Sequence, residues 1–427
     1  MDDKTKIEII NKIINISEDY VSLFRESHSS KFVRTKGLCF YVKNANYHYN
    51  PVVGDIFRHM GLKKNFSSDY VRDFIDELIS DTLKEGVENV KDNPLIIDTF
   101  DDVFHEVTVY IPLSGIRMIK EELKIGKIII KKMTDEIVNE ITNNLYLLLR
   151  GNPYFSPNDK EKGIQSIVNR YNTFKGKVCA EFKMFGEESI VLKVAKEECE
   201  NSLDLLRLSS IYLQHKNHNI NITLEGELAR GYQNTLFFKS NFKYYKLSNE
   251  LKGHIVDFNI SDSEIKYMKE FGIFILSKIL EKPDRELTDF ERTLLMGVHW
   301  FANFPSQKEI ENQYLSLMVS LEIFLTPKAG SGEPISNYIA EGASIINEIG
   351  IDNRKKLKSK IKDLYKKRSS IVHGSMNNIP TEKDIVTLKN ILLTLIWWMI
   401  QNSHRFDNKD DLLDFIEDHK FACDILT

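Results

Sequence analysis

Residues 352–374 read DNRKKLKSKIKDLYKKRSSIVHG. Leu357, Ile361, Leu364, Tyr365, Arg368 and Val372 recur at spacings of three and four, which predicts one amphipathic helix with these side chains in a single stripe. Arg368 therefore belongs to the apolar stripe and not to the wet faces that carry the lysines. A lone guanidinium buried there is costly, so it needs an acidic partner or a polar cleft. His373 follows five residues later, and Gly374 comes directly after it, the residue best suited to stop a helix in left-handed conformation. The macrodipole favours an imidazolium at that end. On an ideal helix, side chains five residues apart point about 140° away from each other. Arg368 and His373 thus converge only if the helix end distorts or a second subunit takes part.

Charge sharpens the picture. Nine of the fifteen residues from Arg354 to Arg368 are basic, yet the chain as a whole carries −4. The overall balance argues against a general nucleic-acid binder, while the local run allows either a solvated helix face or a contact with a polyanion. Length and an ordinary globular composition leave room for two or three domains with their own cores.

Outward from this helix, the C-terminal part reads as helical throughout. Ser261-Asp-Ser-Glu264 and Thr288-Asp-Phe-Glu291 are capping boxes, and helices are predicted over about 262–281, 288–303, 308–325, 335–348, 352–373, 381–403 and 409–421. The apolar run Ile391–Ile400 is about half a bilayer span and predicts a buried helix. The N-terminal part mixes helical spacing at 4–27 and 68–86 with strand-like runs at His105–Ile111, Gly126–Met133, Lys177–Phe185, Ser189–Val194, Asn219–Glu225 and Thr235–Phe242, and a helix from Lys196 to Gln214. The expected fold class is multidomain α+β: a mixed α/β region over 1–258, of one or two subdomains, followed by an all-α bundle over 259–427. Cys39, Cys179, Cys199 and Cys423 stand far apart, which favours free thiols in a reducing compartment over a structural zinc. With no apolar signal core at the N-terminus, the expected location is cytoplasmic, without a membrane.

An Arg followed by His after four to six residues is a weak signal, expected about once by chance in such a chain. It occurs twice. Arg292…His299 sits inside an amphipathic helix and reads as ordinary helix packing. Arg368…His373 has more around it: a stripe arginine, a polar Ser369, a terminal His-Gly and a basic helix. The stretch DLYKKRSSIVHG, with QYLSLMVSLEIFL at 313–325 and PISNYIAEGASIINEIG at 334–350, resembles the HEPN superfamily, and within it the Apea-like group of bacterial defence proteins. The resemblance covers about residues 285–405. It implies an all-helical, dimeric domain and a metal-independent endoribonuclease acting in anti-phage abortive infection, with no cofactor. Arg368 and His373 then form the motif pair, and Glu322 matches an acidic position on a facing helix. Ser369 departs from the pattern, because many active members carry Asn, Asp or His after the Arg.

The chemistry such residues suit is RNA cleavage through the RNA's own 2′-hydroxyl. That step needs a base, an acid and positive charge on the phosphorane. A His serves as base or acid near neutral pH, and an Arg fork binds the non-bridging oxygens. Glu322 is expected either to orient Arg368 or His373, or to be a plain buried partner of Arg368. Lys362, Lys366 and Lys367 are expected to hold the RNA backbone, plausibly of a host tRNA, without reading sequence. The competing expectation is a HEPN module that binds RNA, a nucleotide or a partner protein and cleaves nothing. A third is a structural protein whose basic helix docks an acidic partner. The N-terminal region is expected to sense a phage-derived trigger or to restrain the bundle.

Other features are not promoted. His215 and His218 lack a third metal ligand. Gly330-Ser-Gly-Glu333 lacks the end of a phosphate loop, Trp397-Trp398 suits core or dimer packing, and Tyr47, Tyr49, Tyr244 and Tyr245 suit ordinary packing.

Overall fold

The computed structural model describes residues 8, 11–12, 30–34, 39–43, 49–60, 65–85, 106–151, 165–166, 168–213, 222–226, 231–238, 245–252, 257–327, 334–374 and 379–421. Most of the expected helix at 4–27, the His215–His218 pair, the Gly330–Glu333 turn and the side chains of Tyr47, Tyr49, Tyr244 and Tyr245 lie outside the described residues. The chain forms two compact units, Met1–Val109 with Phe182–Glu197, and Tyr110–Glu181 with Glu198–Thr427.

The elements in chain order are β1 (Ser30–Arg34), β2 (Cys39–Lys43), α1 (Tyr49–Met60), α2 (Ser68–Glu85), β3 (Glu106–Ser114), β4 (Ile116–Met118), β5 (Glu122–Ile125), β6 (Ile128–Lys132), α3 (Asp135–Gly151), β7 (Val178–Phe185), α4 (Glu188–Leu213), β8 (Thr223–Leu224), β9 (Gly231–Phe238), β10 (Tyr245–Lys252) and β11 (Phe258–Ile260). Helices alone follow: α5 (Asp262–Phe271), α6 (Ile273–Glu281), α7 (Asp289–Asn303), α8 (Ile310–Leu325), α9 (Ile335–Asn347), α10 (Ile351–Val372), α11 (Glu382–Gln401) and α12 (Lys409–Asp418), with short 3-10 turns between some of them.

In the first unit, β1 and β2 pair antiparallel. Val71, Phe74 and Ile75 of α2 are buried, and the Phe66 ring meets Phe185 edge-on. The Glu187 carboxylate accepts the Ser67 backbone N–H. Ser189–Val194, read from sequence as a strand, is instead the start of α4. Its Val and Ile content suits a strand, but Val191, Ala195 and Cys199 are fully buried at intervals of four, so a helical stripe decides the outcome.

The second unit holds a five-stranded sheet ordered β5-β6-β7-β3-β8, with β5, β6 and β7 antiparallel neighbours. β4 pairs parallel with β11, the last strand before the helices, and β9 with β10 forms a separate antiparallel pair. Gly126, at φ 56° in the β5–β6 turn, lets the hairpin press on helices: its N–H donates to Ser277 Oγ of α6, and Ser202 Oγ of α4 donates to the neighbouring Ile125 carbonyl. Cys179 is buried on β7, and burial pushes its thiol up to about 12, so it behaves as an apolar filler.

Both capping boxes read from sequence are present, at Ser261 with Glu264 and at Thr288 with Glu291. The expected single helix 262–281 breaks into α5 and α6 at Gly272, which sits at φ 97°. A side chain there would strike Ile400 of α11, so the break and the close approach share one residue. α11 is the one helix among the described residues long and apolar enough to cross a membrane. Half of its apolar window is packed inside, with Leu388, Leu392, Leu395 and Met399 fully buried. Trp398 lies in that core near Phe406 and Phe415, whereas Trp397 is exposed.

α7 and α8 pack most tightly at Gly297. A Cβ there would lie 2.1 Å from the ring of the fully buried Phe324, and Gly297's carbonyl accepts the Ser320 hydroxyl. Gly297→Ala is therefore expected to lower stability by about 2–3 kcal/mol in urea unfolding, as overpacking does. Adding Phe324→Leu should restore part of the loss; a single variant as stable as the wild type would refute this packing account.

Candidate functional site

α10 carries the motif, and two bonds set its position against α8. Tyr314, fully buried, donates its hydroxyl to the Leu364 carbonyl at 2.5 Å. Burial pushes that phenol far above its usual range, so it stays a neutral donor. One turn on, Arg368 meets Glu322 of α8. Nη2 donates to Oε2 at 3.2 Å, while Nε stands 2.9 Å from Oε1 at an angle too poor for a hydrogen bond. Both side chains are about three-quarters buried, at 27% and 20% exposure. The pair thus rests on Coulomb attraction and one directed bond, and the fork keeps unspent donors. The Arg368 guanidinium also sits 5.8 Å from the Tyr365 ring centre, a cation–π distance.

The stripe runs as expected through Ile361, Leu364 and Arg368, but Val372 is 53% exposed and Ile371 takes its place facing inward. His373 caps the helix with φ −93° and ψ 8°, and Gly374 turns left-handed at φ 67°. The His373 side chain is exposed, and no hydrogen bond or ion pair joins it to Arg368 or Glu322. The helix end stays regular, so one chain does not bring the motif pair together. Ser369 is half-buried next to Arg368.

The basic run divides into two sets. Arg354 is buried and donates to the Glu348 carbonyl. Lys358 pairs with Glu341, and Lys366 with Asp363 on the same helix. Lys367, grouped with Lys366 in the sequence reading, is committed elsewhere: its ammonium lies 2.7 Å from Asp384, the third residue of α11. Burial pushes the Asp384 carboxyl up, yet its bonds from Lys367 and Thr381 outweigh that and hold it below its usual range. Lys355, Lys356, Lys360 and Lys362 have no ion-pair partner among the described residues. Lys362, Lys366 and His373 recur at spacings of four and seven, which puts them on one helix face.

The second Arg/His match separates entirely. Arg292 is exposed and donates to the Asp284 carbonyl, while His299 turns to Asp204 of α4, Nδ1 to Oδ2 at 2.6 Å. Asp204 is 4% exposed, and its other oxygen accepts from Arg207 at 2.7 Å and Asn303 at 2.8 Å. Arg207 also pairs with Glu200. Sequence reading missed this network. Its trace was there: Glu200, Asp204 and Arg207 are the charged residues between Cys199 and Ile211, at spacings of four and three.

No group of three or more His, Cys, Asp or Glu side chains fit to hold a metal occurs among the described residues. No protein-family model, curated protein or solved structure matches the chain.

Two outcomes follow from these pairs. Glu322→Ala is expected to cost about 1–2 kcal/mol in chemical unfolding, because it strands a mostly buried cation, and Glu322→Gln to cost less because an acceptor remains. Equal stability of both variants and the wild type would mean that the pair contributes nothing. For His299, the bond to Asp204 raises the pKa, partial burial opposes it, Asp204's charge adds, and Arg207 and Glu200 pull in opposite directions. A raised folded-state pKa gives stability that is fully present below the unfolded value of about 6.5 and is lost as pH rises through the folded value. The stability gap between wild type and His299→Gln should therefore shrink from about pH 6 to pH 9; a gap that widens would refute the assignment.

Proposed function

We propose that the chain is a cytoplasmic, metal-independent endoribonuclease of HEPN type, with Arg368 and His373 as its catalytic pair. The observation that carries the reading is Arg368, held on the buried stripe by Glu322 with donors to spare, one turn from a histidine at the helix end. Phosphate oxygens offer the Arg368 fork a better-aligned partner than Glu322 does. His373 exchanges the proton of the 2′-hydroxyl or of the departing 5′-oxygen, leaving 2′,3′-cyclic phosphate ends. Lys362 and Lys366, on the His373 face, hold the backbone of the RNA strand. Glu322 positions Arg368 and does not touch the RNA.

Because one chain keeps Arg368 and His373 apart, the working site belongs to a homodimer that pools two pairs. An apolar row on the outer face of α11 supports a partner copy: Val386 is 49% and Trp397 40% exposed, with half-buried Leu393 between them. Trp397→Asp is expected to shift the particle mass from dimer to monomer in light scattering and to abolish cleavage; a cleaving monomer would refute the pooled site. By resemblance, the signal is phage infection, the outcome is growth arrest through cutting host RNA such as tRNA, and the N-terminal half restrains or triggers the bundle.

The second reading is a HEPN module that binds without cutting. Ser369, directly after the motif arginine, favours it. Incubation of end-labelled tRNA with the purified chain in excess EDTA separates the two. Cleavage by the wild type and its loss in Arg368→Ala and His373→Ala, by at least about a hundredfold, is expected. Cleavage unchanged in His373→Ala removes that residue from the chemistry, and retained binding without cleavage in every protein selects the binding module.

A further inference from the structure

A cleft of about 350 Å³ lies between α4, α6 and α7, with no residue of the motif helix in its lining. Small-molecule sites start at about this size, roughly 300 Å³. Its wall combines Lys127 from the β5–β6 turn, Lys282 after α6 and His299 of α7 with the apolar side chains Leu287, Leu295 and Met296.

We propose that this cleft binds a small organic anion, a phosphate or carboxylate on an apolar body, the charged group meeting His299, Lys282 and Lys127.

The argument starts from Asp204. It lines the cleft, but both its oxygens are engaged by His299, Arg207 and Asn303, so it fixes the imidazole and its charge is largely answered within the protein. With Nδ1 donating to Asp204, Nε2 is the ring nitrogen left to the cleft, and the side chain is 56% exposed. Lys127 is bound to Glu198 at 2.5 Å and Lys282 to Glu291 at 2.6 Å. Each ammonium has three N–H groups, so donors remain after these pairs form. The lining acids Glu198 and Asp204 are thus already balanced within the protein. Asp284, exposed at the rim, has no cation partner among the described residues and repels a polyanion more than a small ligand with one charged end. Met296 is 54% exposed on the same wall, an apolar surface left in water unless a ligand covers it. None of these residues belongs to the Arg368 site, and the inference does not depend on RNA cleavage.

The test is titration calorimetry of the full chain with adenosine 5′-monophosphate, 4-phenylbutyrate and inorganic phosphate. Saturable binding of an organic probe is expected, weaker by at least about tenfold in both His299→Gln and Lys282→Met and unchanged in Arg368→Ala. Preference for the nucleotide assigns a phosphate ligand, and preference for phenylbutyrate a carboxylate. Inorganic phosphate binding as tightly as either organic probe overturns the role of the apolar wall. Absence of saturable binding, or binding lost in Arg368→Ala instead of Lys282→Met, overturns the site. Lys282→Met lies at the cleft edge and keeps the test open should His299→Gln disturb the fold.

Discussion

A guanidinium on the dry side of a helix must find a carboxylate, and the bundle is built to supply one. Arg368 sits where α10 faces α8, so α8 has to present an acid at that level. Glu322 does so. The facing level one turn earlier is set by the Tyr314 hydroxyl on the Leu364 carbonyl. α8 is in turn fixed against α7, where Gly297 lets the Phe324 ring reach the α7 backbone. These contacts are side-chain specific, so a rotation or slip of α8 breaks all three together. Apolar burial holds the helices together, but it is non-directional; the register that places Glu322 beside Arg368 comes from the phenol, the glycine and the ion pair.

Much of this was legible in sequence because helical periodicity and caps are local signals. The stripe of α10, the two capping boxes and the glycine after His373 all depend on residues within one or two turns. That Arg368 needs an acid or a polar cleft followed from cost alone; that the acid is Glu322 was implied only by the family resemblance. What failed was less local. Ser189–Val194 has strand-forming residues, yet the neighbouring Ala195 and Cys199 extend its burial at a helical interval. Lys367 looks equivalent to Lys366 on paper, but its helical angle turns it toward Asp384 at the start of α11. Val372 fits a spacing of four from Arg368 but is exposed, while Ile371, at a spacing of three, is half-buried. The Asp204–His299 bond joins residues 95 positions apart, and no window on the sequence contains both.

The two Arg/His matches show why spacing is a poor guide and position on the element a better one. Arg292 and His299 lie in mid-helix, where the next turns hold each side chain on its own bearing, and each has found an unrelated partner. His373 caps its helix just beyond the last helical residue, Val372, and its side chain has no partner among the described residues. A histidine with a raised pKa and a buried carboxylate behind it, as His299 has, is the better-fixed imidazole. Fixing of this kind is useful for holding an anion.

The charge of α10 leads to the same division. Nine basic residues in a stretch of fifteen suggest a uniform field, yet folding commits Arg354, Lys358, Lys367 and Arg368 to partners within the bundle. Buried or half-buried pairs of this kind are little screened by salt and hold helices in place. Lys355, Lys356, Lys360 and Lys362 have no ion-pair partner among the described residues, and a polyanion bound through such cations is held in a salt-dependent way. Arg368 stands between the two sets: structural through Glu322, and still carrying donors that a phosphate can take without breaking the helix that presents them.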